Sequence, residues 1–153
     1  MSCAIDNTVI VSYADDFKAI KNIKVDMPTG FRSTAVEVTH GTGSIVLELT
    51  SANPYQNSTI FNVYTINGIF RKRIEVLGHV TAFTCITDAT DSDYIAYGLS
   101  DGAISVCPIL SDAAHRVIYT CDSQITALSF LKDAGLLTVG TVEGSVIKCH
   151  AFC

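Results

Sequence analysis

The chain repeats itself. The segment "VTAFTCITDATDSDYIAYGLSDGAISVCPI" (80–109) aligns with "ITALSFLKDAGLLTVGTVEGSVIKCHAF" (125–152). Val80 falls on Ile125, Gly98 on Gly140, Gly102 on Gly144 and Cys107 on Cys149. The offset shrinks from 45 to 42 because the loop "DATDSDY" is longer than "KDAG". A third copy lies upstream in "AVEVTHGTGSIVLELTSANPYQNSTIFNVYTI" (35–66), with a long loop, Ser51 to Thr59, where the later copies turn tightly. Each copy follows a further β-type run: "FKAIKNIKV" (17–25), "IFRKRIEV" (69–76) and "HRVIYTC" (115–121). A leading run, "TVIVSY" (8–13), pairs with the first of these through Ala14-Asp15-Asp16. The expected organisation is one domain, 1–153, of three units, about 17–66, 69–109 and 115–152, plus the strand 8–13.

Repetition at this period points to a burial problem solved by stacking. Helix-period signals are almost absent, and β-branched and aromatic runs are bounded by Gly, Asn, Asp and Ser. The fold class is therefore all-β. A four-stranded antiparallel unit of ~40–45 residues has the size of a β-propeller blade. One such blade is apolar on both faces and hides them only against its neighbours. Gly102 and Gly144 sit at hairpin turns, where glycine takes a positive φ. Asn67-Gly68 predicts a two-residue type I′ turn. Gly41, in "HGTG", reads as part of a looser loop.

Composition narrows the class. Hydrophobic residues make up 48% and charged residues 16%, which excludes disorder. No apolar run reaches the ~18–20 residues of a membrane span, and the N-terminus lacks a signal-peptide pattern. The chain thus reads as soluble and intracellular. The six cysteines are scattered through apolar runs and read as reduced core residues. "CHAFC" places Cys149, His150 and Cys153 together, but no second ligand pair completes a zinc site. No cofactor is implied. Residues 1–78 hold seven Lys/Arg and seven Asp/Glu, whereas residues 79–153 hold three and eight. That acidic half argues against nucleic-acid binding, which needs cations to neutralise phosphates. The one basic cluster, Arg71, Lys72 and Arg73, reads as a solvated strand edge or as a contact for anionic lipid or an acidic partner.

"GLSDGAISVC" and "GTVEGSVIKCH" resemble degenerate WD repeats. Cys107-Pro108 and Cys149-His150 stand in the place of the family's Trp-Asp, and the chain has no Trp. Gly78-His79 abuts Val80 without the family's usual spacing. The order of "FNVYTINGIFRKRIEV", "YGLSDGAISV" and "TVGTVEGSVI" over 8–152 is similar to the C-terminal WD-repeat propeller of BEACH-domain proteins, the neurobeachin and beige-like group. That resemblance implies an incomplete propeller, the C-terminal part of a longer protein, because closed propellers have ~4–8 blades. It also implies a non-enzymatic scaffold in vesicle and membrane trafficking, in the cytoplasm and peripheral to vesicle membranes. Its partners would be proteins, including the rest of a propeller/BEACH polypeptide. A WD-repeat subunit or adaptor of another multiprotein complex is the alternative.

Partner contacts are expected on loops, because function on a propeller is set there. The candidates are Asn53, Tyr55 and Asn57 in the 51–59 loop, and Asp88, Asp91 and Asp93 in the 88–93 loop. The three aspartates also offer a weak calcium pattern that departs from the EF-hand spacing. His40, His79, His115 and His150 stand apart from any nucleophile elbow or carboxylate pair, so the chain reads as a non-enzyme.

Overall fold

Strands form wherever the alternating runs lie, and the computed structural model is antiparallel throughout. It describes residues 2–3, 7–13, 15–16, 18–53 and 55–152. The helical element among them is a single 3-10 turn, Lys132–Ala134. The described residues group into two compact units, Met1–Val38 with Gly43–Leu77, and Thr39–Thr42 with Gly78–Cys153.

In the first unit, β1 (Ser2–Cys3), β2 (Thr8–Ser12) and β3 (Ala19–Lys24) form a three-stranded sheet. The run 8–13 thus pairs with the run that follows it, as its alternation indicates. A four-stranded meander follows: β4 (Phe31–Val38), β5 (Ile45–Ser51), β6 (Ser58–Tyr64) and β7 (Phe70–Leu77). Val9, Ile23 and Val25 pack against Ile45, Leu47, Leu49, Ile60 and Tyr64. Asn62 is fully buried among them. Its Nδ2 donates to the Asp26 carbonyl (3.3 Å) and to Tyr64 Oη (3.4 Å), and its Oδ1 accepts from Arg73 Nε (3.2 Å). A buried amide without such partners would forfeit its hydration, on the order of 1–3 kcal/mol.

The second unit repeats the meander in β8 (Val80–Thr87), β9 (Asp93–Leu99), β10 (Ala103–Pro108) and β11 (Arg116–Thr120). It then adds a three-stranded sheet, β12 (Ile125–Leu131), β13 (Leu136–Thr141) and β14 (Val146–His150). Ile86, Ala96, Ile104 and Val106 of one sheet bury against Ile125, Leu137 and Val139 of the other. The sheets cut the chain one strand later than the sequence units. The run that opens each unit, β3, β7 or β11, hydrogen-bonds to the strand before it. Cys85, Cys107 and Cys121 are buried inside these layers, and Cys149 is half-buried.

The Asn67-Gly68 turn corrects the type I′ expectation. Gly68 has φ +82°, but among the described non-glycine residues only Asn7 and Asp91 have positive φ. The Gly68 amide donates to the Thr65 carbonyl (2.8 Å), and Thr65 N–H donates to the Ile69 carbonyl (2.9 Å). This is the longer hairpin loop, a four-residue turn closed by a left-handed glycine. Thr65 accounts for the choice, since its Oγ1 accepts the Ile69 amide (3.1 Å) and stabilises the extra residue. The same loop recurs at Gly144, which has φ +81° and donates its amide to the Thr141 carbonyl (3.0 Å).

Candidate functional site

The two candidate loops differ in what their polar groups do. In the 51–59 loop the candidate side chains Asn53, Tyr55 and Asn57 serve local turns or face solvent, whereas Thr59 is buried. Asn53 Oδ1 accepts the Tyr55 amide (3.0 Å), and the Asn53 amide donates to Ser51 Oγ (3.1 Å). Tyr55 is 95% exposed, and Asn57 is also exposed. A tyrosine ring held open to water by a short-range turn is a contact-ready group, because it brings large area at little entropy.

The 88–93 loop holds its acids apart. Asp88 Oδ1 accepts from the Thr90 amide (2.8 Å), Thr90 Oγ1 (2.7 Å) and the Ser92 amide (3.0 Å), while Oδ2 accepts from Tyr94 Oη (3.1 Å). The Thr90 hydroxyl is the main cause that lowers the Asp88 pKa. Asp91 takes φ +58° and pairs with Lys132 Nζ at 3.3 Å, both side chains exposed. Such a pair contributes little.

Asp93 lies inside, only 6% exposed. Its carboxylate accepts from the Gly41 amide (3.0 Å), the Thr42 amide (2.8 Å), Thr42 Oγ1 (2.7 Å), Thr87 Oγ1 (2.7 Å) and the Thr39 hydroxyl. Burial alone would raise its pKa, but these donors outweigh it and hold the group down at about 2. Asp93 is therefore a clamp within the fold and not a surface contact. The three carboxylates serve separate partners, and among the described residues no group of three metal-ligating side chains converges.

This clamp also overturns the reading of Gly41 as part of a loose loop. A Cβ there would collide with the Asp91 carbonyl oxygen and lie 2.8 Å from Asp93 Oδ1. Thr39, Gly41 and Thr42 escaped the sequence reading because their partner is some fifty residues away. The available signal was small and hydroxylic residues flanking a glycine.

The basic cluster is divided by the strand. Lys72 is half-buried and shares a face with buried Ile74 and Val76, whereas Arg71 and Arg73 alternate with it and are exposed. Arg73 is committed to Asn62. Arg71 sits next to Ile69 and Phe70, and Ile66 lies across the turn. All three apolar side chains are exposed. Among the histidines, His115 Nδ1 meets Tyr97 Oη at 2.7 Å with the rings edge to face. Burial, reinforced by Cys107, pushes the Tyr97 phenol up to about 12 against a hydrogen bond from Ser105. At neutral pH it is a poor proton donor. Cys153 of the "CHAFC" trio lies outside the described residues. Among the described residues, no helix is long and apolar enough to cross a membrane.

No family model matches the sequence, and no curated protein matches it. Solved structures do. The computationally designed Ika4 protein is similar over 97% of this chain and 82% of its own, with 19% identity and a TM-score of 0.62. The Cps50 (Swd1) β-propeller domain of Myceliophteria thermophila is similar over 95% of this chain and 47% of its own, at 9% identity and TM-score 0.60. The designed Ika8 protein matches over 97% of this chain and 54% of its own, at 17% identity and TM-score 0.52. The chain thus has the all-β, antiparallel fold of an incomplete β-propeller, spanning about half the length of the last two.

Proposed function

We propose that this chain is a non-enzymatic protein-interaction module, a single partial propeller over 1–153 that presents loops and hairpin tips to protein partners. The hairpin 65–70 carries the reading: Ile66, Ile69 and Phe70 stand exposed next to the cation Arg71. Apolar surface beside a fixed charge suits a partner with both an apolar and an acidic character. Tyr55 supplies a second contact group. The engaged state of Asp88 and Asp93 and the high pKa of Tyr97 support a non-catalytic role.

The finer reading is a scaffold of the BEACH type in vesicle and membrane trafficking, cytoplasmic and peripheral to membranes. Its support is the sequence resemblance over 8–152 together with the basic hairpin. A subunit or adaptor role in another complex rests on the same surfaces. The test is a photo-crosslinking amino acid placed at position 55 or 69 in the chain expressed in cells. Discrete protein adducts at these positions, absent from a control at Glu75, are expected. Uniform absence of adducts, or turnover by the purified chain on a hydrolase panel, would sink the reading.

A further inference from the structure

The chain has six asparagines, and their surroundings differ in a way that matters chemically. An asparagine loses its amide when the backbone nitrogen of the next residue attacks its Cγ, and a side chain on that next residue hinders the approach. Asn53 precedes Pro54, which has no N–H to give up. Asn62 is fully buried, with both ends of its carboxamide hydrogen-bonded. Asn7 and Asn22 precede Thr8 and Ile23, β-branched residues held in the β2–β3 ladder. Asn57 is exposed, but Ser58 follows it. Asn67 alone combines the favourable features. It is exposed at the hairpin tip, its carboxamide bonds no described residue, and its neighbour Gly68 carries no Cβ.

We infer that Asn67 is a site of spontaneous deamidation, gated by its own turn, whose product reverses the charge character of the contact hairpin. The Gly68 nitrogen gives its proton to hydroxide and bonds Asn67 Cγ. The Cγ–Nδ2 bond breaks, and the nitrogen takes a proton from water and leaves as ammonia. A second water opens the five-membered imide at either carbonyl, which gives aspartate or isoaspartate. The turn restrains the first step. The Gly68 amide is held by the Thr65 carbonyl at 2.8 Å, and Thr65 Oγ1 holds the Ile69 amide on the far side at 3.1 Å. The attacking nitrogen is released when the tip opens, a local event that costs much less than unfolding the sheet. The position gives the product its effect. Residues 65–74 contain three Lys/Arg and no acid, and Ile66, Ile69 and Phe70 stand exposed among them. A carboxylate at position 67 sets a negative charge at this tip, which repels an acidic partner. The isoaspartate form also adds a carbon to the main chain inside the turn.

The effect on binding rests on the interaction-module reading, whereas the modification itself is read separately. The purified full chain is aged at about pH 6 and about pH 8 and mapped by fragment mass spectrometry. A gain of about 1 Da at Asn67 is expected, at least tenfold faster than any gain at Asn57. It should be faster at the higher pH, because the attacking nitrogen must lose a proton. Thr65→Val removes the hydroxyl that pins Ile69 and should speed the gain several-fold, while Thr65→Ser keeps the hydroxyl and should leave the rate unchanged. No gain at Asn67 in the folded chain, or an equal rate at Asn57, overturns the site. Equal rates in wild type and Thr65→Val overturn the gate. The consequence is read by the crosslinker at position 69, whose protein adducts should fall at least fivefold in Asn67→Asp. Undiminished adducts in that variant overturn the effect on binding. Absence of adducts at both 55 and 69 in the wild type would sink the broader reading and leave the mass shift standing.

Discussion

β10 and β14 are two writings of one strand in different surroundings. In β10 both faces are covered: Ile104 is 0% exposed and Val106 5%, while Ser105 and Cys107 are buried on the other side. In β14 only one face is covered. Ile147 and Cys149 pack against the core shared with β9 and β10, whereas Val146 is 70% exposed and Lys148 is open to water. The sequence has followed the environment, since Lys148 stands where the other copy has Val106. A lysine is almost never buried unpaired. The repeat therefore records stacking in its shared apolar positions, and the position that differs is the one exposed in β14.

Exchanging the two residues is the harshest way to break this contrast. Val106→Lys places an ammonium in a closed apolar layer, and should cost about 4 kcal/mol or more. Lys148→Val should change stability by less than about 0.5 kcal/mol. Urea unfolding of both variants measures the difference. Similar losses in the two would mean that the exposed face of β14 is covered in solution.

Gly98 sharpens it from the neighbouring strand. A Cβ on Gly98 would lie 2.5 Å from Ile125 Cγ2 and 2.6 Å from its Cβ, and Ile125 is completely buried. The layers are in contact at this glycine, and Gly98→Ala should cost about 2–3 kcal/mol through overpacking. Thermal unfolding at the wild-type midpoint would show the loss directly, and a neutral result would mean that the two sheets stand further apart than described.

Much of this contrast was legible in the sequence. The alternation fixed which residues are strand, and the glycine pairs 98/140 and 102/144 aligned the copies. What could not be read was which of two similar segments would be covered, because burial depends on a neighbour and not on the strand's own period. Asp93 shows the same limit. In "DATDSDY" it looks like one more loop acid, yet it closes on Thr39–Thr42 far away in sequence, and only three-dimensional proximity distinguishes it from Asp91. Gly41 was misjudged for the same reason. The hairpin at Asn67-Gly68 was placed correctly, but its length depended on one hydroxyl, that of Thr65.

The connections between the first two strands of each sheet give the third test. The β8–β9 loop is pinned by buried Asp93, whereas the β12–β13 loop is a 3-10 turn ending at Gly135 whose Lys132 makes only an exposed pair with Asp91. The folded pKa of Asp93, about 2, lies below its ordinary value of 3.8, so folding favours the ionised form. The stabilisation is complete above roughly pH 5 and is lost as pH falls through 3.8 towards 2. A depression of this size is worth on the order of 2 kcal/mol. Unfolding free energies of the wild type and Asp93→Asn should therefore converge by about that amount between pH 5 and pH 2. A constant gap over that range would show that Asp93 acts through shape and not through charge.

The smallest effect is expected at Gly140, and it is informative because it is small. Gly140 is the repeat partner of Gly98, but a Cβ there meets only Ala127 Cβ and Thr126 Oγ1, each at 3.5 Å, which is ordinary contact. Its φ is not in the left-handed range, so alanine fits the backbone without strain. Alanine also restricts the unfolded chain more than glycine does, which favours folding by a few tenths to about 1 kcal/mol. Gly140→Ala should thus be neutral or slightly stabilising in the same thermal assay that registers the loss at Gly98. A penalty like that of Gly98 would require a further layer packed against Gly140. Its dependence on protein concentration would then separate self-association from an unrecognised contact within the chain.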